Sequence, residues 1–149
     1  MDIFFNKEDV DFCVEHPALL RRWISECIVF EGKKLVEMSY VFCSDKYLLK
    51  LNKRYLQHDC FTDVLTFDYA DGEGLIDGEA YISVDRVKEH ADIFGVSFYE
   101  ELCRVMIHAV LHLVGYDDKT PEEKVRMGTA ENKWLEESLL QEFLARVYG

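Results

Sequence analysis

Residues 105–114 constrain the fold more than any other stretch of this chain. All are apolar except His108 and His112. A helix with ~3.6 residues per turn sets positions i and i+4 about 40° apart around its axis and ~6 Å along it. The two imidazoles therefore form a single polar stripe on a helix with no wet face. Such a helix has to run through the middle of a domain, with Leu102, Val105, Met106, Ala109, Val110 and Leu113 packed against other elements. The stripe then faces a cleft, where two imidazoles can share one metal ion. Histidines at this spacing also occur as hydrogen-bonded core residues. Three local features favour a metal: the stripe is otherwise dry, Gly115 lets the chain leave the helix through a left-handed turn, and Asp117 and Asp118 follow. Asp118 is the better placed third ligand, although two aspartates in a turn are by themselves ordinary.

The spacing H-x3-H-x2-G-x2-D is shared with extended zinc-protease motifs, which carry a glutamate general base directly after the first histidine. Here that position is Ala109. The chain has the ligands for a metal and lacks the base for a peptidase.

The remaining pattern is that of an α+β protein. Residues 3–5 form a short apolar run suited to an edge strand, and Pro17 opens a helix that stops near Gly32. Residues 35–43 read as a strand. Ser44 caps a helix over 45–56, 64–67 read as a second core strand, and 71–74 as a turn. Residues 79–84 read as a further strand, and 85–94 as a helix ended by Gly95. Ser97 caps the histidine helix, and Thr120-Pro121-Glu122-Glu123 starts a last helix that runs to about Tyr148. This order implies a small three- or four-stranded mixed sheet with about five helices, an α/β sandwich, in one domain over residues 1–149.

Five scattered cysteines without a C-x-x-C fit reduced thiols and a cytoplasmic location. The first residues lack the basic-then-apolar order of a signal peptide, and no apolar run is long enough to span a bilayer. The net charge of −12 opposes nucleic-acid binding, which needs Lys and Arg on the phosphates. Its distribution softens the objection. Residues 1–55 hold nine acidic and nine basic side chains, and within them Lys46, Lys50 and Arg54, with Lys53 alongside, form one basic helical stripe. The alternative for that stripe is an ordinary solvated face.

Three ordered blocks resemble the YbeY family of bacterial rRNA maturation factors. His108 to Asp118 matches H-G-x-x-H-L-x-G-Y-D-H except at two places. Leu51-Asn52, Tyr55, Asp59, Thr62-Asp63-Val64-Leu65 and Phe67 match an upstream L-N-x-x-Y-R-x-x-D-x-x-T-D-V-L-S-F block. Gly78-Glu79-Ala80-Tyr81-Ile82-Ser83 resembles a G-(D/E)-I-x-I-S strand. The resemblance covers roughly residues 35–135. It implies an α/β sandwich with a buried zinc helix and one zinc ion per chain on His108, His112 and Asp118. It also implies a single-strand-specific, metal-dependent endoribonuclease in ribosomal RNA processing and ribosome quality control. The partners it implies are ribosomal RNA precursors and the small ribosomal subunit, with no membrane and no DNA.

Three departures carry information. Ala109 replaces a glycine, a change a helix favours. Asp118 replaces a third histidine, which keeps a ligand but lowers the net charge of the site, so the ion becomes a weaker Lewis acid. The family arginine after the tyrosine falls at Leu56, which cannot hold a phosphate. Arg54 or Lys53 is the nearest substitute, Arg54 being the candidate catalytic cation.

Catalysis is assigned to His108, His112 and Asp118 through the metal, and RNA backbone binding to Lys46, Lys50, Lys53 and Arg54. No side chain within the histidine motif can act as general base. Asp59, Asp63, Asp85 and His58 are the candidates from elsewhere, each of which also suits a cap, turn or exposed loop. His16 and His90 read as surface residues, and Trp23 and Trp134 as core residues. Two other functions compete: a non-catalytic ribosome-assembly or RNA-binding factor with a structural metal, and a metal hydrolase of another substrate.

Overall fold

The computed structural model describes residues 2–56 and 62–149. His58 and Asp59, two of the base candidates, lie outside the described residues. Four strands form one sheet in the order β1-β2-β4-β3, with β1 at Ile3–Lys7, β2 at Lys34–Cys43, β3 at Val64–Asp68 and β4 at Leu75–Ser83. β1 pairs parallel to β2 and β2 parallel to β4, while β3 runs antiparallel to β4. The sheet is thus mixed, with β1 an edge strand as expected. β4 begins four residues before the expected Glu79, because Leu75 and Ile76 pair with Lys34 and Leu35.

Side-chain alternation divides the sheet into two faces. Met38, Tyr40, Phe42, Ile76, Ala80 and Ile82 point into the main core, against α1 (Pro17–Phe30) and α4 (Phe98–Val114). Leu65, Phe67 and Tyr81 point the other way, where α2 (Asp45–Leu56) covers them with Leu48 and Leu51. α4 runs through the middle, packed on the sheet, on α1, on α3 (Val84–Phe94) and on α5 (Pro121–Leu135). Trp23 and Trp134 are core residues, as are Cys27, Cys43 and Cys103. Burial raises the Cys27 and Cys43 thiols to about 12, and the described cysteines are unbridged.

The described residues contain six helices, because the expected single helix from Pro121 to Tyr148 is broken. α5 ends at Leu135, and α6 covers Ser138–Tyr148 after an extended Glu137. Side chains take over the carbonyls at the break: the Trp23 indole donates to the Trp134 carbonyl at 2.8 Å, and the Gln141 amide to that of Leu135 at 2.8 Å. Satisfying these helix-end acceptors laterally frees α6 to pack Leu140 and Phe143 into the core with α1.

Gly78 sets how closely α4 approaches the sheet. A Cβ there would meet Leu113 Cδ1 at 2.6 Å and the Phe67 carbonyl oxygen at 2.8 Å. Leu113 can turn away; the backbone of the paired strand cannot. A Gly78→Ala substitution is expected to destabilise the chain by about 1–3 kcal/mol, measured by urea unfolding. An unchanged midpoint would show that strand and helix separate freely.

Candidate metal centre

Ser97 starts α4 by accepting a hydrogen bond from the Glu100 amide at 3.2 Å. The helix ends at Gly115, whose φ of 128° is open to glycine and costly for other residues. The Tyr116 amide returns to the Leu111 carbonyl at 3.0 Å, and the Tyr116 hydroxyl donates to Glu31 at 2.8 Å. Two residues past Asp118, Thr120 and Glu123 form the expected capping box of α5. The short loop carrying Asp118 is therefore held at both ends.

This arrangement brings the three expected residues together. Asp118 Oδ2 lies 3.5 Å from His108 Nε2 and 3.5 Å from His112 Nε2, and the three donor atoms face one another closely enough to hold a metal ion. Two imidazole nitrogens and one carboxylate oxygen are a donor set that suits zinc. The group opens onto a cleft of about 430 Å³ lined also by Thr62, Asp63, Val64, Thr66 and Asp68. The Thr62-Asp63-Val64-Leu65 block thus forms the wall opposite the histidines.

Glu131 on α5 completes the site in a way the sequence reading missed. Its Oε2 lies 2.6 Å from His108 Nδ1, so His108 donates from Nδ1 and presents the lone pair of Nε2 to the cleft. Burial works against a charged His108, but the hydrogen bond and charge of Glu131 outweigh it and raise the imidazole above its ordinary pKa. Arg104 holds the other side of Glu131, with Nη1 at 3.0 Å from Oε1 and Nη2 at 2.8 Å from Asn132 Oδ1. A signal for Glu131 was present in the sequence: it occupies the apolar stripe Met127, Glu131, Trp134, Leu135 of α5, where a lone carboxylate needs a partner. Arg104 and Glu101 likewise extend the polar stripe of α4 by one and two turns toward its N-terminus.

Other candidates part company. Asp63 stands in the cleft wall. Asp85 accepts from the Asp45 amide at 2.9 Å and serves as a cap for α2. His16 is exposed, but His90 is not the plain surface residue expected: its Nδ1 lies 3.7 Å from Asp63 Oδ2. Lys46, Lys50, Lys53 and Arg54 are exposed on α2, across the sheet from α4, and line neither cleft beside His108. Arg54 instead lies over the Tyr55 ring at 5.5 Å. Strand alternation decides this: Leu48 of α2 packs on the Leu65 side of β3, whereas Val64 faces the α4 core. The guanidinium beside the histidines is that of Arg104.

The family model for Endoribonuclease YbeY matches residues 3–138. The chain belongs to the YbeY family. It is 47% identical over 133 residues to the Endoribonuclease YbeY of Flavobacterium psychrophilum, covering 89% of this chain and 94% of that one. It is 42% identical over 134 residues to that of Amoebophilus asiaticus, covering 90% and 91%. The solution structure of TM1509 from Thermotoga maritima superposes with a TM-score of 0.68 at 27% identity, covering 97% of this chain and 93% of that one. The YbeY match and this superposition agree with the α+β class read from the sequence.

Glu101 on α4 is 5% exposed, and burial together with the nearby Asp63 raises its carboxyl to about 7. In metal-free protein the folded form then keeps a proton that the unfolded chain releases above its ordinary value near 4.5. The resulting stability is full below that value and is lost as pH rises through about 7. Urea unfolding at pH 5 and 8 in chelator should show this decline, and Glu101→Gln should flatten it. An equal slope in both proteins would mean that Glu101 titrates normally.

Proposed function

We propose that this chain is a metal-dependent endoribonuclease that hydrolyses single-stranded RNA, with ribosomal RNA precursors as its substrates and the small ribosomal subunit as the setting. Its carrying observation is the convergence of His108, His112 and Asp118 on an open cleft in a member of the YbeY family. The three residues would hold one zinc ion per chain. When bound, the ion supplies Lewis-acid stabilisation of charge developing on the phosphate and makes water acidic enough to attack near neutral pH.

The chain's own groups do the rest. Glu131 keeps His108 in the tautomer that leaves Nε2 bare. Asp63, facing the histidines across the cleft, is placed to accept a hydrogen bond from attacking water and orient it. Lys46, Lys50, Lys53 and Arg54 bind the backbone of an RNA that crosses the β3 edge, away from the reacting bond. On this reading the whole chain works as one cytoplasmic domain. Among the described residues no helix is long and apolar enough to cross a membrane. A purely structural ion in an RNA-binding assembly factor fits less well, because structural zinc sites are closed by four protein ligands and this one opens onto a cleft.

The test is cleavage of a short fluorogenic single-stranded RNA by the wild type, by chelator-treated protein and by Asp118→Ala. Cleavage lost in both and restored by zinc only in the wild type is expected. Equal cleavage in all three would defeat the reading. Arg54→Ala should raise KM several-fold and leave kcat intact; a fall in kcat alone would place Arg54 at the reacting phosphate instead.

A further inference from the structure

A second group of metal-type donors lies beside the first. Asp63 precedes β3 and is anchored by the Ser83 amide, which donates to its carbonyl at 2.9 Å. Ser83 also caps α3, the helix that carries His90. Glu101 reaches the same point from the first turn of α4. One donor atom from each of Asp63, His90 and Glu101 falls within 4.8 Å of the others.

Glu101 is the observation that asks for a ligand. The residue is 5% exposed, and its carboxylate has no hydrogen-bond donor among the described residues, only the more distant charges of Arg104 and His90. Its oxygen is aimed at a second carboxylate, that of Asp63. Arg104, the guanidinium on the same cleft, is already committed to Glu131 and Asn132. Two carboxylates this close, one of them on a nearly buried residue, repel each other unless a proton or a cation joins them.

We propose that Asp63, His90 and Glu101 form a second cation site, which takes a hard divalent ion of the manganese or magnesium class. Two oxygens and one imidazole nitrogen match such an ion better than zinc, and leave further positions for water or phosphate oxygen. The raised carboxyl of Glu101 agrees, since without an ion it retains a proton near neutrality. Asp63 lines both clefts beside His108, of about 430 and 270 Å³, so the second ion lies next to the first triad. Those walls carry Asp63, Asp68, Glu101, Asp118 and Glu131, against which a polyanion cannot settle without added positive charge. The ion's service to RNA binding rests on the function proposed above; its binding does not.

The test is manganese uptake by the zinc-saturated full chain, read as loss of the free-ion electron paramagnetic resonance signal. Wild type should bind one manganese in addition to its zinc. Glu101→Gln and His90→Ala should weaken that ion by about tenfold or more while zinc content stays unchanged. Glu101→Gln is nearly isosteric and removes a buried charge, so it should fold, as circular dichroism would verify. His112→Ala should lose zinc and keep the Glu101-dependent manganese. Manganese binding that is absent in the wild type, or the same in Glu101→Gln, overturns the proposal and leaves a proton as the partner of Glu101. A Glu101-dependent manganese in a chain that takes up no zinc would sustain this site while defeating the zinc reading.

Discussion

His112→Ala is expected to purify without zinc and to cleave single-stranded RNA roughly 10³-fold more slowly than the wild type, or worse. The magnitude follows from losing a metal that stabilises a developing charge by several kcal/mol, about 4 kcal/mol for three decades in rate. His112 is the better test of the two histidines. Truncating His108 would leave the buried Glu131 carboxylate without its 2.6 Å partner and mix a stability defect with the loss of metal. His112 meets Asp118 and the edge of the His108 ring, at a centroid distance of 4.8 Å, and is about one-third exposed. Its removal should leave the helix and fold intact by circular dichroism. A folded, zinc-free variant with undiminished activity would separate the nuclease from the metal altogether.

Glu131→Gln should lower zinc affinity about 10- to 100-fold without removing a ligand. The amide keeps the size of the side chain but can present its oxygen to only one of Arg104 and His108. The Nδ1–H of His108 then loses a charged acceptor, and with it the basicity and fixed orientation of Nε2. Competition against a chromophoric chelator measures the change directly, and Glu131→Asp should recover part of it. An unaltered zinc affinity in Glu131→Gln would reduce Glu131 to a packing partner of Arg104.

The parts of this protein legible in its sequence are those set by neighbours along the chain. Helical period alone put His108 and His112 on one stripe, and Gly115 and the Thr120–Glu123 capping box are local chemistry that returns Asp118 to them. The apolar surround of that stripe required a central helix, and the strand and helix order followed from alternation and caps. The break between α5 and α6 was not legible, because the groups that take up the α5 carbonyls include Trp23, more than a hundred residues away.

Only tertiary packing chose the partners of the stripe. Glu131 comes from α5, His90 from α3 and Asp63 from the residue before β3, and none lies within fifteen residues of Asp118 except Glu131, whose role depends on the rotation of α5 against α4. The basic residues of α2 show the same limit. Their helical spacing was plain, yet the side of the sheet they occupy depended on which residues of β3 and β4 turned toward the larger core. Spacing along a helix is fixed by the backbone's own hydrogen bonds, whereas the face a helix or strand presents is settled by burying the most apolar surface of the whole chain at once.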